Sequence, residues 1–293
     1  MTTLVVGATG ELGSRVCRGL RDIGRPVRAF VRLSSARTAV QSLEQIGTEL
    51  AVGDLKSPRT LEPALRGVST VISCASSVPP KQEGDSIESV DLRGHLHLVS
   101  AARNAGVEHF IFVSFCRHEN LEFPLQTAKR AVESELVGSG IPYTIFQPVD
   151  FMESWLSKAA YFDPFGGSVT LLGDGRAKTT WISRNDVARF VVGAVDNQRA
   201  KNRIFPLGGP EALSQLEVLE LFRAAGADKV DIANQSEATL EDGLKSPDPL
   251  ACSFAAMMLS TARGQRASSV PAQEVIPVTL KSVKEYIAEA RTV

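Results

Sequence analysis

The first half of the chain alternates between short apolar runs and longer stretches in which apolar side chains recur every three or four positions. The runs predict buried strands, and the longer stretches predict amphipathic helices. Predicted strands cover residues 4–6, 27–31, 50–52, 70–74, 110–113 and 143–146, and predicted helices cover residues 11–23, 36–46, 86–105 and 124–138, with a short helix opening at Ser57-Pro58. Strands that alternate with helices pair in parallel through right-handed crossovers. We therefore predict an α/β fold, a doubly wound parallel sheet of the Rossmann type.

The second half lacks this regular alternation. Residues 163–176 are rich in Gly and Asp, which predicts a loop and a hairpin, and the polar residues 233–250 predict a surface excursion. Further helices are predicted at residues 185–196, 213–225 and 279–290, and a strand at residues 203–207. We expect two units: residues 1–150, joined by return elements near 179–207, form the sheet, and residues 151–293 form a smaller, irregular α+β region.

A glycine-rich loop connects the first predicted strand to the first predicted helix, with glycines at positions 7, 10 and 13. A side chain at the first glycine would obstruct the tight turn, one at the second would keep a pyrophosphate away, and one at the third would push the helix off the strand. The backbone amides and the helix dipole then face an anion. The loop predicts a dinucleotide site, with contacts from Gly7, Thr9, Gly10, Glu11, Leu12 and Gly13.

The end of the second predicted strand indicates which dinucleotide binds. An NAD site usually carries Asp or Glu about 20 residues beyond the glycines. Here Arg32 stands 19 residues beyond Gly13. A cation at this place attracts a 2′-phosphate, and Arg37 adds another about one helical turn later. We therefore expect NADPH in preference to NADH.

Other strand ends supply further candidate contacts. Asp54 is placed to accept a hydrogen bond from the adenine amino group, or else it caps the following turn. Small residues at the end of the fourth strand would let a cofactor ribose lie against the backbone. The candidate cofactor contacts in these places, besides Asp54, are Leu55, Cys74, Ala75, Ser76 and Pro148.

Several of these stretches together resemble one known family. GATGELG (7–13), Arg32 in AFVR, GDL (53–55) and KRAVESELVGSGIPYTIFQP (129–148) are similar to the NmrA-like family of atypical short-chain dehydrogenases/reductases, whose relatives include isoflavone-reductase-like enzymes. The resemblance covers most of the chain. It implies NADPH binding by the first unit and a substrate held by the C-terminal half.

The family implies two hypotheses about function, because it contains two kinds of member. Some members reduce double bonds, carbonyls or quinones, and others bind the dinucleotide without turning it over and act as redox-sensing regulators. The first hypothesis is an NADPH-dependent oxidoreductase that passes a hydride to a small apolar, planar acceptor such as a quinone or enone. The alternative is a non-catalytic NADP(H)-binding sensor that docks on a partner protein.

The expected catalytic residues depart from the usual pattern. Ordinary short-chain dehydrogenases use a YxxxK pair, but here Lys129 is preceded by Leu125 where the tyrosine would stand. Lys129 is therefore a candidate acid or base, or else a residue that holds the cofactor or the structure. Ser114 is placed to donate to a substrate oxygen or to the cofactor, or else it caps its strand. His118, just past the fifth strand, is interpreted as an exposed loop residue, with a proton donor as the alternative.

Aromatic and apolar residues at strand ends, or just beyond them, suggest a flat pocket over the nicotinamide, suited to a planar substrate. A plain core stripe is the alternative, since Trp155 follows Phe151 by four positions. The predicted pocket residues are Phe115, Phe151, Met152, Trp155 and Trp181.

Composition limits the kinds of partner, compartment and metal site that we expect. The 32 Lys and Arg residues balance 33 Asp and Glu residues, which argues against nucleic acid as a partner. No apolar run approaches the ~18 residues of a membrane helix, and no leader peptide is evident. The cysteines, at positions 17, 74, 116 and 252, suit a reducing compartment and, like His95 and His97, form no metal-binding pattern. We expect a cytoplasmic monomer or homodimer without a metal, acting on a small molecule.

Overall fold

The computed structural model describes residues 1–291, and a parallel sheet lies at its centre. The strands of the chain are β1 (Thr2–Val6), β2 (Val27–Val31), β3 (Glu49–Val52), β4 (Val68–Ser73), β5 (His109–Val113), β6 (Tyr143–Pro148), β7 (Phe162–Asp163), β8 (Ser168–Leu172), β9 (Lys178–Thr179), β10 (Arg203–Leu207), β11 (Leu213–Ser214) and β12 (Asp231–Gln235). Seven of them form the central sheet in the order β3-β2-β1-β4-β5-β6-β10, and every neighbouring pair is parallel. The predicted doubly wound sheet is confirmed.

Helices cover both faces of this sheet and continue beyond it. They are α1 (Glu11–Asp22), α2 (Arg37–Gln45), α3 (Leu61–Leu65), α4 (His95–Asn104), α5 (Pro124–Gly138), α6 (Met152–Trp155), α7 (Arg184–Ala194), α8 (Gln215–Ala224), α9 (Glu237–Gly243), α10 (Pro249–Arg263), α11 (Val270–Gln273) and α12 (Val283–Ala290). A π-helical segment, Ile87–Gly94, runs directly into α4. The long helix predicted at 86–105 is therefore continuous but changes its hydrogen-bonding pattern at Gly94.

Alternate residues of each strand enter opposite cores. Val5 packs in one apolar cluster with residues of α1 and α7, and Leu4 packs in another with residues of α3, α4 and α5. Both side chains are fully buried. The order of the strands reverses between β1 and β4, so the carboxyl ends of these two strands form the crevice in which such sheets bind ligands.

Residues beyond position 150 return to the sheet. α7 packs on α1, and β10 extends the sheet beside β6. Buried residues of the segment 272–278 also join the core cluster of α1 and α7. The C-terminal half thus contributes more to the first unit than the predicted return elements, while the boundary at residue 150 stays a prediction.

The predicted hairpin at 163–176 is confirmed, because β7 and β8 pair antiparallel. The stretch 233–250 is mostly exposed, as predicted, but it consists largely of regular elements. β12 pairs with β8, α9 follows it, and Pro249 is the first residue of the 15-residue helix α10. Asp248 caps this helix by accepting from the amides of Leu250 and Ala251.

Candidate functional site

The glycine loop has the geometry of an anion cradle. Gly7 has a φ of +82°, and a Cβ there would lie 2.8 Å from the backbone nitrogen of Ala75. A Cβ on Gly13 would lie 2.1 Å from the Gly7 carbonyl oxygen. Gly10 is the N-cap of α1 and has no side chain to accept from the first-turn amides. These amides and the helix dipole are therefore available to a phosphate.

A cavity of about 260 Å³ opens beside this loop, between α1 and α2. Its lining includes Thr9, Gly10 and Glu11 of the predicted contacts, together with Ser14 and Arg18. The carboxylate of Glu11 pairs with the guanidinium of Arg184. Leu12 is half-buried and packs against the core, so its contribution to a nucleotide site is limited to its backbone. These residues fit an adenine dinucleotide through the loop backbone.

Arg32 stands at the end of β2, where the sequence places it, but its guanidinium contacts protein. Nη1 lies 2.9 Å from Asp85 Oδ2. Arg37 is exposed at the start of α2. Asp54 Oδ1 accepts from the backbone nitrogen of Lys56 at 2.8 Å, as expected for the turn-capping alternative. The fourth candidate in this area, Leu55, is buried in the core.

The end of β4 lies directly against the glycine loop. The backbone nitrogen of Cys74 donates to the carbonyl oxygen of Val6, and Ala75 contacts Gly7. Cys74 is half-buried, and burial raises the pKa of its thiol. Ser76 is exposed. The structure therefore brings Cys74 and Ala75 next to the glycine loop, and their contact with a cofactor ribose stays a prediction.

Lys129 lies in a buried ion pair. Its Nζ is 3.0 Å from Asp91 Oδ1, and the two side chains are 4% and 0% exposed. Asp91 Oδ2 accepts from the backbone nitrogen and the hydroxyl of Ser77, at 2.9 and 2.6 Å. Lys129 Nζ also donates to the carbonyl oxygen of Ala75 at 3.3 Å. The pair thus ties α5 to the segment that follows β4.

The charge state of this pair follows from its surroundings. Burial alone would raise the pKa of the Asp91 carboxyl, but the charge of Lys129 and the hydrogen bonds from Ser77 hold it below its usual value. The amine of Lys129 is thus engaged by a carboxylate and a carbonyl oxygen. This geometry favours the holding role for Lys129 over a role as proton donor, and its catalytic role stays a prediction.

His95 is neutral beside the same pair. Its Nδ1 faces the carbonyl oxygen of Val90 and its Nε2 faces the hydroxyl of Ser73, both at 2.8 Å. Because a carbonyl oxygen can only accept, Nδ1 carries the proton and Ser73 donates to Nε2. Burial and the charge of Lys129 lower the pKa of His95 to about 4. His97 is exposed, as expected for a position on the other side of the helix.

Leu125, at the position of the usual tyrosine, is covered by the C-terminal region. It is 4% exposed and packs in an apolar cluster with residues of α9 and α10, including Ala256 and Leu259. Its backbone nitrogen donates to Ser253 Oγ at 3.2 Å. α10 therefore closes over the start of α5.

Ser114, directly after β5, belongs to a polar network. Its hydroxyl accepts from Arg130 Nη2 at 2.9 Å, and the same nitrogen donates to the carbonyl oxygen of Phe115. Arg130 pairs with Glu133 at 2.9 Å, and Gln147 Nε2 donates to Glu133 at 3.0 Å. Since a hydroxyl group has one donor and two lone pairs, Ser114 can still donate to a ligand.

His118 is buried, so the interpretation of an exposed loop residue is wrong. It is 5% exposed, and its ring packs against Phe115 and Phe123 with centroids 5.3 and 5.4 Å apart. Its backbone nitrogen donates to Gln126 Oε1, which folds the loop back onto α5. Burial and the charge of Arg130 lower the pKa of His118 to about 4, so the ring is neutral at pH 7.

Asp150 is a buried acid that the sequence motifs did not indicate. It lies two residues beyond the end of β6 and is 7% exposed. Thr261, on α10, donates to Asp150 Oδ2 at 2.7 Å. Burial raises the pKa of the Asp150 carboxyl to about 7, although the hydrogen bond from Thr261 opposes the shift. Near neutral pH this group can therefore take up or release a proton.

The predicted pocket residues divide between the core and the end of the sheet. Met152 is 0% and Trp181 1% exposed, and the indole nitrogen of Trp181 donates to the carbonyl oxygen of Leu213 at 2.8 Å. These two are packing residues rather than pocket walls, which corrects their prediction. The remaining three are half-buried: Phe115, Phe151 and Trp155.

The structure adds charged residues to the site that the motifs did not indicate. Asp91 and Asp150 each interrupt an apolar run, in Val90-Asp91-Leu92 and Val149-Asp150-Phe151, and such an acid is a signal for a buried, partnered group. The other unpredicted charged residues are Lys56, Asp85, Arg130 and Glu133.

None of the helices within residues 1–291 combines the length and apolar composition needed to cross a bilayer. Over the same residues, no three His, Cys, Asp or Glu side chains group closely enough to hold a metal ion. A cavity of about 670 Å³ between α3 and α4 contains none of the predicted site residues in its lining.

Comparisons with known proteins agree with this fold. The chain is 34% identical to the NAD(P)H azoreductase of Xenophilus azovorans over 224 residues, 76% of this chain and 73% of that protein. It is 32% identical to the photosystem II assembly factor Ycf39 of Trieres chinensis over 225 residues, 75% and 68% of the two chains. An NADPH complex of the NADPH-dependent quinone oxidoreductase of Escherichia coli superposes with a TM-score of 0.80 at 22% identity, covering 99% of this chain and 100% of that one. The model of the NmrA-like family matches residues 1–287, and the chain belongs to that family.

Proposed function

We propose that the protein is an NADPH-dependent oxidoreductase that passes a hydride to a small, apolar and planar acceptor such as a quinone or an enone. The main evidence for this proposal is the glycine loop, whose free amides lie at the ligand-binding edge of the sheet. The cations Arg32 and Lys56 lie near this edge. The azoreductase and quinone oxidoreductase activities named for two similar proteins support this class of reaction.

Each part of the site has a role in this proposal. NADPH, when bound, would supply the hydride. The glycine loop would hold the pyrophosphate, and Arg32 would hold the 2′-phosphate. Lys129 fixes the backbone of Ala75, against which a ribose would lie. Ser114 would donate to an acceptor oxygen, and Asp150, two residues beyond the end of β6, would supply the proton near neutral pH.

Turnover can be tested with a variant that blocks the loop and leaves the fold intact. Gly10 has φ −80° and ψ 165°, which any residue adopts, and its Cβ would meet only the Gly7 carbonyl oxygen, at 3.2 Å. We expect the wild type to oxidise NADPH with at least one quinone, enone or azo dye, measured by absorbance. Gly10→Val should abolish this turnover and lower the melting temperature only modestly, because the new side chain occupies the approach of the pyrophosphate and its Cβ meets the Gly7 carbonyl oxygen closely. Tight NADPH binding without turnover on any acceptor would contradict the catalytic proposal.

The non-catalytic sensor is a second candidate, favoured by two observations. Leu125 lies under α10, and Lys129 is engaged by Asp91. A sensor must distinguish the two redox forms, since a ligand with equal affinity for two states shifts neither. We expect NADP⁺ and NADPH to change hydrogen exchange in α10 by different amounts if the protein is a sensor. Identical exchange with both forms would count against this function.

A further inference from the structure

The guanidinium of Arg32 forms an ion pair with a carboxylate on another loop. Arg32 Nη1 donates to both carboxylate oxygens of Asp85, at 3.0 and 2.9 Å. Lys56 Nζ donates to Asp85 Oδ1 at 2.8 Å. The Asp85 side chain is 3% exposed, whereas Arg32 and Lys56 are 27% and 23% exposed. One buried carboxylate therefore bridges the two cations that would receive a 2′-phosphate.

The other edge of the same guanidinium is held by the same loop, which we define as the β4 loop, residues 77–86. In the amide orientation that gives both the oxygen and the nitrogen of Gln82 a partner, its oxygen accepts from Arg32 Nε at 3.0 Å and from Arg32 Nη2 at 3.3 Å. The backbone nitrogen of Lys81 donates to Asp85 Oδ2 at 3.4 Å. The β4 loop thus engages Arg32 through both Asp85 and Gln82.

We propose that Asp85 is an internal competitor for the 2′-phosphate and sets how strongly the site prefers NADPH over NADH. A phosphate and a carboxylate on one guanidinium repel each other, and both need the N–H donors of Arg32 and Lys56. The phosphate brings nearly two charges and three acceptor oxygens, so it displaces the carboxylate. A nucleotide without that phosphate leaves the Arg32–Asp85–Lys56 contacts in place.

Displacement also has a mechanical consequence, because Asp85 and Gln82 attach the β4 loop to the side chain of Arg32. When a 2′-phosphate takes the donors of Arg32, the β4 loop loses this attachment to the end of β2. Only a dinucleotide that carries the 2′-phosphate would then loosen this loop. This inference rests on the proposed binding of a dinucleotide at the glycine loop.

The test uses nucleotides that lack nicotinamide, so that it does not depend on turnover. Calorimetry would measure the affinity of wild type and Asp85→Asn for adenosine 2′,5′-bisphosphate and for adenosine 5′-diphosphate. We expect Asp85→Asn to bind the bisphosphate roughly threefold to tenfold more tightly and the 5′-diphosphate with unchanged affinity. Glu83→Gln is the matched control, because Glu83 is an exposed acid on the same loop, and this variant should change neither affinity.

The wild type supplies a second measurement that needs no variant. Hydrogen exchange in the β4 loop should be faster with the 2′,5′-bisphosphate than with the 5′-diphosphate. An unchanged or weaker bisphosphate affinity in folded Asp85→Asn, or equal exchange with both nucleotides, would overturn the competitor role while leaving dinucleotide binding intact. Failure of the wild type to bind either nucleotide would instead overturn the proposed function, and this inference with it.

Discussion

Replacement of Lys129 by Met is expected to lower the free energy of unfolding by about 3–5 kcal/mol, because it leaves a buried charge without its partner. Asp91 is fully buried and keeps its two hydrogen bonds from Ser77, but these do not supply a countercharge. Denaturant unfolding at pH 7 measures the change. A loss below about 1 kcal/mol, as for an exposed ion pair, would contradict the buried geometry.

A double variant separates the ion pair from other effects of the substitution. Lys129→Met combined with Asp91→Asn removes both charges, and the amide oxygen of the second substitution can still accept from Ser77. We expect this double variant to recover most of the stability that Lys129→Met loses. The exposed pair Lys245–Asp242, at 2.8 Å, is the control, and removal of either of its members should change the unfolding free energy little.

The same double variant distinguishes the two interpretations of Lys129. If Lys129 serves only to balance the buried charge of Asp91, the stabilised double variant should retain NADPH binding and most of its turnover. If Lys129 transfers a proton, turnover should stay low although stability and binding return. Comparison of kcat with the affinity for NADPH gives the answer, because a purely structural loss is corrected when folding is restored.

Local patterns predicted the sheet because each strand is an apolar run and each helix has one apolar face. The approximate positions of α1, α5 and β10 follow from this rule. This rule did not identify α10, because its sequence PLACSFAAMMLSTAR is apolar or small on every side and so has no contrasting polar face. The polar residues before it predicted only a surface excursion, and Pro249 is suited to the first turn of a helix.

The glycine loop was predictable because its chemistry is contained in seven consecutive residues. The partners of Arg32 and Lys129 were not, since Asp85 and Asp91 are 53 and 38 positions away from them and meet them only through the fold. Trp181 shows the opposite error. An aromatic residue near a strand end suggested a substrate wall, but its indole nitrogen satisfies a carbonyl oxygen inside the core.

Replacement of Asp150 by Asn is expected to change how stability depends on pH. The carboxyl has a pKa of about 7 in the folded protein, against about 3.9 when unfolded. Between these values the folded state keeps a proton that the unfolded state releases, so stability falls as pH rises from about 4 to about 7. Over this range the wild type should lose about 4 kcal/mol through Asp150, and above pH 7 this loss stays constant.

Asp150→Asn removes this contribution, because an amide does not ionise and its oxygen can still accept from Thr261. The histidines titrate in the opposite sense, since burial lowers the pKa of His95, His109 and His118 to about 4 and stability falls as pH drops below their unfolded values. Both proteins contain these histidines, so their contribution cancels when the unfolding free energy of the wild type is subtracted from that of the variant. Unfolding free energies from pH 4.5 to 8 should therefore diverge in favour of Asp150→Asn, whereas the exposed control Asp228→Asn should run parallel to wild type. Parallel curves for Asp150→Asn would mean that this carboxyl is ionised at low pH and cannot deliver a proton near neutrality.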